Sequence, residues 1–397
     1  MKKLLLALAA TTMLTGSAFA ASHSPVKIGV VLGFTGPIES ITPSMGDGAE
    51  LAMKEVTDSG MLLDGVAVES VRADSTCVDA AAATSAAERV VTSDGVKAIM
   101  GADCSGVTGA ILQNVARPNG VVMISPSATS PALSTAEDDG LFFRTAPSDA
   151  RQGQIVSDIL TGKGVKTIAI TYTNNDYGKG LADAIKENFE KAGGTVTISA
   201  SHEDGKGDYS AEVGALAQAG GEVLVVAGYL DQGGKGIIQG ALDTGAFDVF
   251  YLPDGMVGDS IAQAIGAGLD KSYGANPGTD SPGAAKYQEM AKAAGFDGTS
   301  AFSAESYDAA ALIMLAMAAA NSAESKDFKG KVLDVANAPG EKIFPGELAK
   351  ALELIKAGTD IDYVGASAVE LIGPGESAGN YREVAFKDGK IVVVGYR

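Results

Sequence analysis

Short apolar runs recur along this chain, each followed by a small-residue turn and then a stretch with helical spacing. Val26–Leu32, Val66–Ala73, Val96–Met100 and Val121–Ile124 read as buried strands. Gly46–Asp58, Val78–Val91 and Val107–Ala116 read as the helices between them, the last stopping before Pro118. Ile38–Met45 reads as a loop, and Leu141–Arg144 as extended chain. After Pro147 the pattern restarts. Thr167–Tyr172, Thr195–Ala200, Val223–Ala227 and Val249–Leu252 are strands, alternating with helices at Leu181–Ala192, Tyr209–Ala219 and Gly236–Thr244. Alternating strands and helices predict two doubly wound parallel sheets.

The tail departs from this alternation. Ala275–Gly283 is rich in Gly, Pro, Ser and Asp and reads as a linker. Helices follow at Ala301–Ala320, Asp327–Ala336 and Leu348–Ala357, with no third set of strands to cover. Val364–Arg397 returns to strand character, with a hairpin turn at Lys387–Lys390. The economical arrangement returns the late helices to the first lobe and the last strands to the second. That predicts an N-terminal lobe of 25–144 and 276–365, and a C-terminal lobe of 145–275 and 366–397. Three crossings join them, near Thr145, near Ala275 and near Tyr363–Ala366.

Gly101–Leu133 is the stretch with the most chemistry. Two successive strands end in small hydroxyl residues, Cys104-Ser105-Gly106 and Ser125-Pro126-Ser127-Ala128-Thr129. In open α/β sheets ligands bind outside the carboxyl ends of the strands, near helix N-termini. Hydroxyls and backbone N–H groups there form a cradle for a small anion such as a carboxylate. Ordinary N-capping accounts for one such turn; two in succession suit a site.

Composition narrows the function. The 397 residues open with Lys2-Lys3, an apolar Leu4–Leu14 and the small-x-small pattern Ala18-Phe19-Ala20, a signal peptide over residues 1–20. The apolar core is too short to span a bilayer. Losing Lys2 and Lys3 takes the formal charge from −19 to −21. That disfavours nucleic acid and anionic membrane as partners. Only Cys77 and Cys104 are cysteines, and in an exported chain they most simply form one disulfide. A metal site is the alternative, but His23 and His202, the latter in a charged Gly-rich turn, are the only histidines, so neither a metal nor a cofactor is expected.

Ordered pieces of the chain then resemble a known family. These are Lys27-Ile28-Gly29-Val30 before Thr35-Gly36-Pro37, Cys77 with Cys104-Ser105, Ile124-Ser125-Pro126-Ser127-Ala128-Thr129-Ser130-Pro131, Arg144-Thr145, Asp176-Tyr177-Gly178, Gly228-Tyr229 and Pro253-Asp254-Gly255. Over essentially the whole mature chain they resemble type I periplasmic binding proteins of ABC importers, most closely the leucine/isoleucine/valine-binding branch. The resemblance implies a monomeric, non-enzymatic periplasmic protein that delivers a small amino acid to membrane permease subunits. It implies that Ser105, Ser127, Ala128 and Thr129 hold the ligand carboxylate. It places Asp254 at the ammonium and has Tyr177 and Tyr229 close over the ligand. Two departures bear on the ligand: Asp254 stands where the family often has Glu, and the Ile38–Met45 loop lacks the aromatic often found there.

Three other readings stay in view. A ligand sensor for a membrane receptor shares the same signal peptide and paired lobes. A small carboxylate or amide lacking the amine would use the same hydroxyl cradle. Gly375-Glu376-Ser377-Ala378-Gly379 matches the GxSxG pattern of esterases, yet extended chain follows it and no His lies beyond position 202. It reads as a Gly-rich turn.

Overall fold

The computed structural model describes residues 24–397; the signal-peptide reading lies outside them. Two seven-stranded sheets carry the architecture. In the first, β1 (Val26–Leu32), β2 (Val68–Asp74), β3 (Ala98–Gly101), β4 (Val122–Ser125) and β5 (Phe142–Pro147) pair in parallel. In the second, β6 (Thr167–Thr173), β7 (Thr195–His202), β8 (Val223–Ala227), β9 (Phe250–Leu252) and β10 (Tyr273–Pro277) do the same. β11 (Glu341–Ile343) and β12 (Ile361–Tyr363) form a small separate ladder. The late helices do return to the first sheet. Ser303–Ala320 is apolar around nearly its whole circumference because it lies under β3, β4 and β5 and against the helix Thr42–Ser59.

The tail corrects the reading of the last crossing. β13 (Leu371–Ile372) and β14 (Glu376–Ser377) extend the first sheet beyond β5, while β15 (Tyr381–Lys387) and β16 (Lys390–Tyr396) form the antiparallel edge of the second. The chain therefore crosses after Ser377, not near Tyr363–Ala366. Side chains anchor the intervening segment to the first lobe. Asp308, buried in the long helix, accepts bonds from the Tyr363 hydroxyl, the Ala366 and Ser367 N–H groups and the Ser367 hydroxyl. Asn337 brackets Leu371 through both its N–H and its carbonyl, each at 2.8 Å. The other crossings lie at Ser148, after β5, and between β10 and the helix Pro282–Ala294. Most of the expected Ala275–Gly283 linker is thus strand or helix.

Other differences have local causes. The first helix starts at Thr42, with Pro43 in its opening turn, where a missing N–H costs nothing. So half of the expected Ile38–Met45 loop is helical. The helix from Ser105 does not stop before Pro118. Its backbone widens over Leu112–Ala116, the Arg117 N–H bonds the Leu112 carbonyl, and the wider turn accommodates the proline. His202 closes β7 and is not in a turn. It is buried, with Nδ1 2.8 Å from the Thr171 hydroxyl, and burial lowers its pKa to about 4, keeping the ring neutral. The hairpin turn at Asp388-Gly389 is present, with both residues at positive φ.

Candidate functional site

The carboxyl ends of the two sheets face each other across a cleft, and the strand-end turns supply its walls. Ile38, Ile41, Asp103, Cys104, Ser105, Ser127 and Phe302 come from the first lobe; Tyr177, Tyr229, Asp254 and Gly255 come from the second. The lobes touch. Asp231 donates its N–H to the Pro37 carbonyl at 3.0 Å, and its carboxylate accepts from the Ser40 N–H and the Ser260 hydroxyl. The space left between the walls is about 20 Å³, roughly the room of one water. A larger groove of about 920 Å³ lies in the second lobe beside the helices Ser210–Ala219 and Gly233–Thr244, and no expected site residue lines it.

On the first lobe the cradle is tightly braced. Ser105 begins a helix, and its hydroxyl accepts from the Ser130 N–H at 3.0 Å. The Ser127 hydroxyl donates to the Asp103 carbonyl at 3.0 Å. Ala128 is not on the cavity wall. Its N–H bonds the Ser125 hydroxyl, and its carbonyl is held by Arg144. Thr129 is fully buried behind it, and its Oγ1 has no partner.

Asp103 is a site residue that sequence reading missed. It directly precedes the Cys104-Ser105-Gly106 turn, lines the cavity and is 1% exposed. Its carboxylate accepts from the Gly33 N–H at 2.6 Å and the Ser75 hydroxyl at 2.9 Å, tying the turns after β1, β2 and β3 together. Burial raises its pKa, and these donors partly offset that. Its place before Cys104 was the available signal.

Cys77 and Cys104 form a disulfide, with Cα atoms 5.1 Å apart. Thr76 and Cys77 both have positive φ, a conformation that costs free energy without glycine. The bridge holds this turn against the one carrying Ser105. With a sequence separation of 27, loop entropy predicts a stabilisation of about 3.5 kcal/mol. Replacing both cysteines by serine should lower the denaturant midpoint accordingly, and thiol titration of the unfolded, unreduced wild type should find no free cysteine.

The second lobe presents an acid framed by aromatics. Tyr177 and Tyr229 stack at 5.1 Å between ring centroids. The Tyr177 hydroxyl donates to Asp254 Oδ1 at 2.7 Å, and the Gly255 N–H donates to the same oxygen at 2.8 Å. Gly255 has to be small: a Cβ there would lie 2.7 Å from both the Gly228 carbonyl oxygen and the Tyr177 hydroxyl. Asp254 is 1% exposed, and burial raises its pKa against the lowering effect of its donors. Ile38, Ile41 and Phe302 make the apolar wall. Phe302 supplies an aromatic that the Ile38–Met45 segment lacks, from a part of the chain where no pattern marked it. Its φ of 61° puts a bulky residue in the left-handed region. The Gly375–Gly379 motif is remote from this chemistry: Ser377 sits in β14 and accepts from the Gly379 N–H.

A family model described as periplasmic binding protein matches residues 25–344. Leu/Ile/Val-binding protein homolog 1 of Brucella melitensis is 32% identical over 81% of this chain and 84% of its own length. Two solved structures share the fold. The branched-chain amino acid transporter substrate binding protein LivJ of Streptococcus pneumoniae, in complex with isoleucine, has a TM-score of 0.77 at 22% identity, covering 94% of this chain and 99% of that one. A solute binding protein of R. palustris in complex with benzoate has a TM-score of 0.74 at 18% identity, covering 94% of this chain and 96% of that one. The family match runs through most of the chain, and the solved structures share its two-sheet fold: this chain belongs to the periplasmic binding proteins.

Proposed function

We propose that this chain captures a small α-amino acid, branched-chain or related, in the cleft and hands it to the membrane permease of an ABC importer. One observation carries this reading. A buried acid, Asp254, stands on one lobe opposite neutral donors, Ser105 and Ser127, on the other, all on the same cavity. A zwitterion needs these two environments, and Ile38, Ile41 and Phe302 suit an aliphatic side chain. The leucine/isoleucine/valine-binding relative agrees. Asp254 Oδ1 is occupied by protein donors, which leaves Oδ2 for the ammonium. Ser105, whose hydroxyl proton is uncommitted, takes the carboxylate, joined by Ser127 once its hydroxyl turns away from the Asp103 carbonyl, and Thr129 and Ala128 support that turn from behind. Tyr177 and Tyr229 close over the ligand.

The cavity is too small for any amino acid, so the lobes part to admit it, hinged at the three crossings. The protein acts as a monomer in the periplasm after its leader is cleaved, and it releases its ligand chemically unchanged. The benzoate-bound neighbour favours one other reading, a carboxylate lacking an amine. A thermal-shift panel of the amino acids, benzoate and 4-methylpentanoate separates the two. Leucine, isoleucine or valine at a hundredfold excess over its Kd should stabilise the protein by about 2.7 kcal/mol. A response to benzoate alone would overturn the amino-acid reading.

A further inference from the structure

Behind the apolar wall of the cleft lies a second, polar chamber that the reading above leaves unused. It holds about 40 Å³, roughly the room of a water or two. Pro277, Gly278 and Thr279, at the second crossing, form one side of it. The first turn of the helix Ser303–Ala320 forms another, and Arg382 on β15 a third. Phe302 lines both this chamber and the cleft, so it stands as the partition between them.

Two opposite charges face each other in the chamber without meeting. Glu305 is 3% exposed. Among the described residues, the only donor to its carboxylate is its own N–H, and burial raises its pKa to about 7. Arg382 donates from Nε to the Asn276 side-chain oxygen and from one terminal nitrogen to the Thr299 carbonyl, both at 2.9 Å. Its other terminal nitrogen has no partner among the described residues. Burial lowers the Arg382 pKa and the charge of Glu305 opposes this, so each group feels the other, yet they form no ion pair. Buried polar groups are normally hydrogen-bonded. Here an acid from the first lobe and a guanidinium from the second leave a gap that suits a bridging group.

We infer that the chamber is a distal subsite for a side-chain carboxamide, and that the ligands of this protein include glutamine. A primary carboxamide carries two N–H donors and a carbonyl acceptor. Its nitrogen donates to Glu305, and its oxygen accepts from the uncommitted Arg382 nitrogen. A carboxylate tip would be repelled by Glu305 and an ammonium tip by Arg382, while an aliphatic tip would satisfy neither. The two methylenes of glutamine lie along Phe302, and the amide reaches past it. This rests on the amino-acid reading and deepens it: a leucine side chain stops at Phe302, and a glutamine side chain crosses it.

Calorimetry on the mature protein with L-glutamine, L-leucine and 2-amino-5-methylhexanoate tests this. The last has the shape of glutamine with an isopropyl group in place of the amide. Wild type should bind glutamine at least about a hundredfold more tightly than this isostere, because a site built to hydrogen-bond its ligand rejects an analogue that leaves the site's polar groups unpaired. Glu305→Ala should weaken glutamine binding at least about tenfold and leucine binding less than about twofold; a merely structural Glu305 would weaken both alike. A wild type that binds leucine but binds glutamine no better than the isostere would overturn this inference and leave the amino-acid reading standing, whether or not the variant folds. So would equal glutamine affinities for wild type and Glu305→Ala. Binding of benzoate with no response to any amine-bearing probe would overturn both.

Discussion

Asp254→Asn is expected to weaken leucine binding by roughly two to three orders of magnitude, since breaking a buried ion pair costs on the order of 3–5 kcal/mol. The asparagine amide oxygen can still accept from the Tyr177 hydroxyl and the Gly255 N–H, the two donors now on Oδ1. The local frame therefore survives. Burial already raises the Asp254 pKa, so a neutral amide relieves a desolvation cost. The ligand-free melting temperature should hold or rise. Affinity for 4-methylpentanoate, which has the carboxylate and no amine, should change little. Calorimetry on wild type and variant checks both arms. Equal leucine affinities would mean that the ammonium lies elsewhere.

Arg144→Leu is expected to destabilise the fold by about 3–5 kcal/mol, the cost of stranding partners of a buried charge. Arg144 is 1% exposed. One guanidinium nitrogen donates to the Ala128 and Ser130 carbonyls, each at 2.9 Å, and the other to the Ser134 hydroxyl and the Glu376 carboxylate. A single side chain thus holds the cradle turn and pins β14 to the edge of the first sheet. Leucine leaves two carbonyls unpaired and Glu376 without its counter-charge. Urea unfolding should show a lower midpoint, and adding Glu376→Leu should recover part of the loss. A midpoint unchanged from wild type would show that water replaces the arginine at no cost.

Much of the site was legible because its residues lie at strand ends, and strand ends show in the hydrophobic pattern. Ser105 and Ser127 sit where two apolar runs stop, and Tyr229 and Asp254 where two others do. Asp103 and Phe302 were not legible in this way. Asp103 looks like any polar residue in a turn until Gly33 and Ser75 converge on it from two other turns. Phe302 precedes a long Ala-rich helix, and only the return of that helix to the first lobe brings its ring to the cavity. Glu305 and Arg382 are far apart in the chain, and only the return of the long helix to the first lobe and the crossing into β15 set them on one chamber.

The sequence by itself determined the two alternating sheets, since a run of β-branched and aliphatic residues followed by an amphipathic helix has few other ways to bury its apolar face. It also determined that the late helices had no strands of their own and so belonged on an existing sheet. Tertiary structure decided where the tail divides. Leu371–Ile372 and Glu376–Ser377 are too short to carry a pattern, and their sheet was chosen by Asp308, Asn337 and Arg144, side chains distant in sequence. It also decided which polar groups went unpaired. A hydrogen bond is a relation between two positions, and the sequence shows each position alone.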